Sequence, residues 1–444
     1  MSRFHIAAPS WDLSANAMAL VYRSDAFGRF EERVVFPDST PLSELDDELR
    51  EGLGVLAALA MGTSYFKAAP AQTVSVESAL TAPARDIVEK LYGPGLGEFY
   101  VRNNLSYPPQ IKIVAAEADA ARFPREINND RAVVAFGGGK DSHVASAILN
   151  EANIKSERVS VILSDQVGAR LQSMSETPVT LIKRCIDPKL IDLSRAGKAL
   201  NGHVPITAIN SIVLGLYAAM TGAGWVVFAN ERAASEPTMH IDGHAVNHQY
   251  SKSLEFEDAL KVGFEAVAAP FTYFSILRPV SELWTGHYIA NRASAALEIF
   301  ASCNRNFVFA GPSVLQDGQR WCGRCAKCVY TSVLLAPFLS PERHQTVFQS
   351  QPLHNPENMT FLREIAGLTD AKPWECVGER REVASALLAL ADHAEWKDVP
   401  LIRDVQADLA KQWDLDDLRQ AWDVALDARS EHRMPEKIAK IVQA

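Results

Sequence analysis

The spacing of apolar positions changes character along this chain, and the changes divide it. Across 17–36, apolar and polar residues alternate on either side of Asp25-Ala-Phe-Gly28, which predicts two strands joined as a hairpin. Thr40 followed by Pro41 predicts a helix start, because a hydroxyl caps the first free amides and proline suits the first helical position. Helical spacing follows near 42–62 and 83–93. From Arg131 onward, short apolar runs at 159–164, 179–184 and 225–229 read as strands, and 206–220 as a buried helix. Strands alternating with helices are what a parallel sheet with helices on both faces requires. Beyond Pro337 the spacing turns helical and strands fade. The predicted organisation is an α+β N-terminal region (1–130), a doubly wound α/β core (131–335) and a helical C-terminal region (336–444).

Composition narrows the class. The chain has 444 residues and a formal net charge of −10, without a local basic helix, which speaks against nucleic acid as a partner. No apolar run reaches the ~18–20 residues of a membrane span. The opening Met-Ser-Arg-Phe-His lacks the apolar core of a secretion signal. Six cysteines, three of them crowded together, suit reduced thiols or metal ligands better than a disulfide framework. A cytoplasmic protein with no membrane partner is the expectation.

The candidate chemistry starts at 132–142. A β-branched apolar run feeds Gly137, Gly138 and Gly139, then Lys140, Asp141 and Ser142, then a helical pattern. Glycines admit positive φ and let the backbone approach an anion, and the amides of the following helix attract phosphate. The upstream glycine of a Walker turn is missing, with Val134 and Ala135 in its place, and the dinucleotide glycine pattern fails too. The strand at 225–229 should end on the same sheet edge, bringing Asn230, Glu231, Arg232 and Glu236 towards that turn. A carboxylate there suits Mg²⁺ and an arginine suits a phosphate or carboxylate. Further polar clusters are Asn247, His248, Gln249, Ser251 and Lys252, and His203 after Asn201-Gly202. Cys322, Cys325 and Cys328 have the spacing of zinc ligands, and Cys303 supplies a fourth thiol, enough for a structural Zn²⁺; an iron–sulfur cluster is the rival. Cys185 and Cys376 have no partner in the sequence and read as core or substrate-near thiols.

The glycine run resembles the PP-loop of the HUP-like ATP pyrophosphatases, with Gly137 where that superfamily commonly has serine. The whole set resembles something narrower. The PP-loop 137–142, Asn230-Glu-Arg-x-Ala-Ser235, Val246-Asn-His-Gln-x-Ser-Lys-Ser253, Trp284-Thr-Gly-His-Tyr-Ile-Ala-Asn291, Ser302-Cys-Asn304, Trp321-Cys-Gly-x-Cys-x-Lys-Cys328 and Lys372-Pro-Trp-Glu-Cys-Val-Gly-Glu379 are similar to the MurL family, as are Gly95–Asn103 and Ser64-Tyr-Phe-Lys67.

The resemblance implies an isomerase, an epimerase that uses ATP and Mg²⁺ to invert the terminal glutamate of UDP-MurNAc-L-Ala-L-Glu through an acyl-adenylate. A ligase that adds L-glutamate would be its functional neighbour. On that expectation Gly137, Gly138, Gly139, Lys140 and Ser142 cradle the phosphates, and Asp141 and Glu231 hold Mg²⁺. Lys140 and Arg232 offset charge at the α-phosphorus. His248 or His203, with Cys185 behind them, takes the α-proton. Glu231, Asn247, Gln249, Ser251, Lys252, Arg102 and Lys67 are candidates for contacts with the substrate. The alternatives are another PP-loop enzyme adenylating a nucleobase acid or tRNA base, and a nucleotide sensor without turnover.

Overall fold

A computed structural model describes residues 2–121, 127, 131–307, 315, 318–370 and 373–443. Four strands open the chain: β1 (Arg3–Ile6), β2 (Ser10–Asp12), β3 (Ala17–Ser24) and β4 (Gly28–Val35). The hairpin expected at 17–36 is there, with β3 and β4 antiparallel from Ala17 opposite Val35 to Ser24 opposite Gly28. Gly28 has φ +70°, the left-handed conformation that glycine supplies at a tight turn. The first helix begins later than Pro41. That proline leads only into one 3-10 turn, and α1 (Asp47–Phe66) is capped by Asp46, whose side chain accepts from the Leu49 amide. A carboxylate caps better here than Thr40, because it satisfies an amide and faces the positive end of the helix.

After β5 (Thr73–Val76), α2 (Ala82–Tyr92), α3 (Gly97–Arg102) and β6 (Lys112–Val114), the chain enters its α/β stretch. There β7 (Arg131–Ala135), α4 (Lys140–Glu151), β8 (Lys155–Ile162), α5 (Asp165–Ser173), β9 (Val179–Cys185), α6 (Pro188–Arg195), α7 (Ile206–Thr221) and β10 (Trp225–Phe228) follow in turn. A separate hairpin, β11 (Met239–Ile241) and β12 (His244–Val246), precedes α8 (Leu254–Ala266), β13 (Thr272–Ser275), α9 (Glu282–Arg292) and α10 (Ala326–Leu335).

The main sheet has the order β13-β10-β7-β8-β9-β4-β3-β1-β5-β6, with β2 on the side of β3. From β13 to β9 every pairing is parallel. The chain winds outward from β7 through β8 to β9, then returns to β10 on the other side of β7. The winding direction therefore reverses between β7 and β10, the place where ligands enter such sheets.

The N-terminal strands are not a separate body. Strand β4 joins β9 antiparallel, so one sheet runs across position 130, and one hydrophobic core continues from Phe4 to Tyr273. Across that seam the Arg184 guanidinium of β9 is buried against the Glu32 carboxylate of β4 and donates to Ser64 Oγ at 2.8 Å. A second core packs α4 and α9, and a third packs the C-terminal helices around α10. The third core takes α12 (Met359–Ile365), α13 (Arg380–Asp392), α14 (Pro400–Gln412) and α15 (Leu415–Ala425), while α11 (Pro341–Phe348) and α16 (Glu436–Val442) pack into the second. No helix among the described residues is long and apolar enough to cross a membrane.

Candidate active site

The glycine turn leaves β7 and opens α4 as its sequence implies. Gly138 has φ +72°, and a Cβ there would stand 2.9 Å from Met174 Sδ, so both backbone and space demand glycine. Its carbonyl accepts from the Ala301 amide at 2.9 Å. Gly139 caps α4, and Gly137 has nothing within 4 Å of a Cβ position, so that face of the turn is open. A cavity of about 280 Å³ lies over the turn at the reversal point, walled by Gly137, Gly139, Asp141 and Ser142 on one side and by Ala229, Asn230 and Lys252 on the other.

Beside it, carboxylate oxygens of Asp141, Glu231 and Glu282 lie within 4.8 Å of one another. Lys140 serves this cluster and not the wall of the cavity: its buried ammonium pairs with Asp141 and Glu282. Three formal negative charges against one positive leave a net −2, a balance that suits a divalent cation with oxygen ligands. Burial pushes the Glu282 carboxyl well above the usual carboxylate range, opposed by Lys140 and reinforced by Asp141 and Glu231. Glu282 was not legible from spacing, because it opens α9 far from the turn in sequence. Arg278 holds the arrangement together. Fully buried on Glu257, it donates to the Glu231 carbonyl at 2.8 Å and the Lys252 carbonyl at 2.5 Å. Arg232, expected at the phosphates, instead pairs with Glu379 at 3.1 Å.

On the other side of Lys252 lies a second cluster. Its ammonium lines the cavity and reaches Cys376 Sγ at 3.3 Å and Gln249 Oε1 at 3.1 Å. Cys376 Sγ is 3.8 Å from His248 Nε2, and His248 Nδ1 is 2.5 Å from Glu98 Oε2. The same carboxylate oxygen is 3.3 Å from His203 Nδ1, and Arg102 pairs with Oε1 of Glu98 at 3.1 Å. Burial disfavours charge on each, yet the partners decide. Lys252, His248 and Lys327 bring the Cys376 thiol down to about 6, and Cys376 and Glu98 hold His248 up at about 9. Burial and the neighbouring His248 charge drop His203 to about 4. Its Nε2 is buried without a partner.

Sequence reasoning placed the two histidines in one region but missed Glu98, and it left Cys376 without a partner. Asn247 bridges the Ala234 carbonyl and the Gln249 amide, a turn-forming role, and Ser251 is buried beside Lys252. Cys185 sits exposed at the end of β9, opposite Arg33, and hydrogen-bonds neither histidine. Lys67 donates to Asn201 Oδ1 and the Gly202 carbonyl at 2.8 and 2.9 Å, lining a second cavity of about 500 Å³ whose wall includes Gly202 and Val204, on either side of His203 in the chain. Lys372 lies outside the described residues.

The four remaining thiols converge. Cys303 and Cys325 are 3.9 Å apart, Cys322 and Cys328 3.7 Å, and Cys325 and Cys328 3.5 Å. Zn–S bonds of about 2.3 Å put tetrahedron edges near ~3.8 Å. The quartet fits that ion.

A doubly wound α/β edge carrying a glycine turn, a carboxylate trio and a half-buried thiol–imidazole pair has the makings of an enzyme active site. The MurL N-terminal domain model matches residues 1–276 and the MurL C-terminal domain model residues 299–420. Over its full length the chain is 35% identical to a protein of Xanthomonas oryzae pv. oryzae, covering 97% of it, named UDP-N-acetyl-alpha-D-muramoyl-L-alanyl-L-glutamate epimerase. Relatives of the same name in Salinispora tropica and a Micromonospora species are 35% and 34% identical over 90% and 91% of this chain, covering 88% and 90% of their own lengths. The chain belongs to the MurL family, and it is an isomerase of the epimerase kind.

Proposed function

We propose that this enzyme inverts the terminal glutamate of UDP-MurNAc-L-Ala-L-Glu by first activating its α-carboxylate with ATP, as a PP-loop enzyme. The chemistry explains why an epimerase would need a nucleotide site. The glutamate nitrogen is tied up in an amide, and an anionic carboxylate makes the neighbouring C–H a very weak acid. Adenylation removes that negative charge, so a side-chain base can take the proton, and hydrolysis restores the acid with AMP and pyrophosphate as products.

The observation that carries this reading is the order of features along one edge. An open glycine turn and its cavity come first, then Lys252, then the thiol–imidazole pair, then His203 and the larger cavity. ATP would bind over the first cavity, with the amides of Gly137 and Gly139 and the Ser142 hydroxyl toward the phosphates. Asp141, Glu231 and Glu282 would hold Mg²⁺, which supplies charge neutralisation at those phosphates. Lys252 stands where it can meet the carboxylate being activated. The larger cavity, with Lys67 and the exposed Arg195 on its wall, suits the diphosphate and sugar of the substrate. Zn²⁺ in the Cys303, Cys322, Cys325 and Cys328 quartet would be structural, since four thiolates leave no open position. A cytoplasmic place beside the ligase that adds L-glutamate agrees with such a precursor. Incubation with ATP, Mg²⁺ and the L-glutamate precursor should yield AMP, pyrophosphate and, after hydrolysis, D-glutamate. Inversion that proceeds equally without nucleotide overturns the reading.

A further inference from the structure

Inverting a stereocentre needs one group that takes a proton and another that returns one to the opposite face. We propose that Cys376 and His248 are that pair, the thiolate taking the α-proton of the L-substrate and the imidazolium supplying the new one. The assignment rests on the adenylation reading above.

The geometry selects these two. Cys376 is half-buried, and it contacts Lys252, which lines the nucleotide cavity. An activated carboxyl group near Lys252 therefore brings its Cα towards Sγ. His248 presents Nε2 to the same space, and its other nitrogen is fixed on Glu98, which sets the ring's orientation. His203 shares Glu98, but its Nε2 is sealed from solvent, so it steadies the pair and does not meet the substrate.

The protonation states agree with the geometry. Lys252, Lys327 and His248 face the thiol; Glu98, His203 and Cys376 face the imidazole. Near neutral pH the thiol is the more acidic of the two, so the resting pair is thiolate and imidazolium.

The proton balance closes. The Cα–H bond breaks and an S–H bond forms, and the electron pair delocalises into the acyl carbonyl. The Nε2–H bond then breaks as the new Cα–H bond forms on the other face. A thiol and a neutral imidazole are left, and transfer of the proton from sulfur to nitrogen resets them. That reset needs the two groups in contact, as they are here at 3.8 Å, and the inversion step needs them parted, with Cα between them.

The test uses the full chain with ATP, Mg²⁺ and the L-glutamate precursor in D₂O, reading AMP release, α-deuterium and glutamate chirality together. Cys376→Ser should still release AMP, while deuterium wash-in and inversion fall by about 10²–10⁴-fold, the usual weight of a general base. His248→Gln should exchange α-deuterium with retention, since the thiol can return a deuteron to the face it came from, and should lose inversion. Wash-in by Cys376→Ser at the wild-type rate overturns the assignment. So does loss of AMP release in that variant, or equal loss of exchange and inversion in His248→Gln. Absence of AMP release by the unaltered enzyme is a different result, and sinks the adenylation reading instead.

Discussion

A quartet of cysteines and one single cysteine in this molecule face opposite electrical surroundings. In the quartet of Cys303, Cys322, Cys325 and Cys328, sulfur faces sulfur at 3.5–3.9 Å, so each deprotonation opposes the next. Only a cation placed among them lets all four ionise. Cys376 faces Lys252, His248 and Lys327, and it ionises with no metal at all. The charge opposite a thiol, and not its spacing in the chain, decides whether it holds an ion or moves a proton. The two regions are also joined. Lys327 lies between Cys325 and Cys328 in sequence and acts electrostatically on both Cys376 and Glu282, and Asn304, next to Cys303, donates to Glu375, next to Cys376.

The sharpest way to break the comparison is to remove one sulfur from each. Zinc, proposed for the quartet, should be lost in Cys328→Ser as read by elemental analysis, and the protein destabilised by several kcal/mol, since binding at structural sites contributes about 10–16 kcal/mol in small peptides. The loss should show as a lower thermal midpoint, and Lys327 should be displaced with it. Cys376→Ser should leave the metal content at that of the unaltered enzyme. Equal metal content in both variants would show that the quartet is not a zinc site.

Much of this fold was readable from periodicity, because it depends on local rules. The 17–36 hairpin, the strands near 159, 179 and 225 and the long helix from 206 follow from apolar spacing and glycine placement. What stayed hidden depends on pairing across long separations. Nothing local says that β4 joins β9, so the sheet's passage across position 130 was not visible. The glycine turn was legible as a contiguous string, and the quartet nearly so. Of the acid–base cluster only His203 and His248 were, because Glu98 and Cys376 come from distant stretches brought to them by tertiary packing. Lys140 was read as a phosphate ligand because the string ends there. Its ammonium turned inward because Glu282, invisible from the string, offers a buried counter-charge.

A medium effect is expected where the two regions differ most, in the cations around Cys376. Lys252→Met removes the nearest one, 3.3 Å from Sγ. The thiol should climb from about 6 towards the ordinary ~8.5, which at pH 7 cuts the thiolate fraction by up to about 30-fold. Lys252 also lines the nucleotide cavity, so turnover alone would mix two causes. The pH dependence of iodoacetamide alkylation at Cys376, followed by peptide mass mapping, isolates the thiol. A midpoint that stays near 6 would mean that Lys252 does not set its acidity.

The smallest expected effect probes the imidazolium side through Glu98. The working pair needs a thiolate, lost as pH falls through about 6, and an imidazolium, lost as pH rises through about 9. Inversion should therefore follow a bell between those limits, which belong to the coupled pair and not to either residue alone. Glu98 raises the histidine as a charge and as a hydrogen-bond acceptor, ranking after the thiol among the groups that do so. Glu98→Gln keeps an acceptor of the same shape and removes the charge, so the alkaline limb should move down by about one unit, equivalent to ~1.4 kcal/mol. The acid limb should move far less, because Lys252 and Lys327 still face the thiol. A profile in which both limbs shift equally would mean that Glu98 acts on the whole cluster's fold and not on the proton held at His248 Nε2.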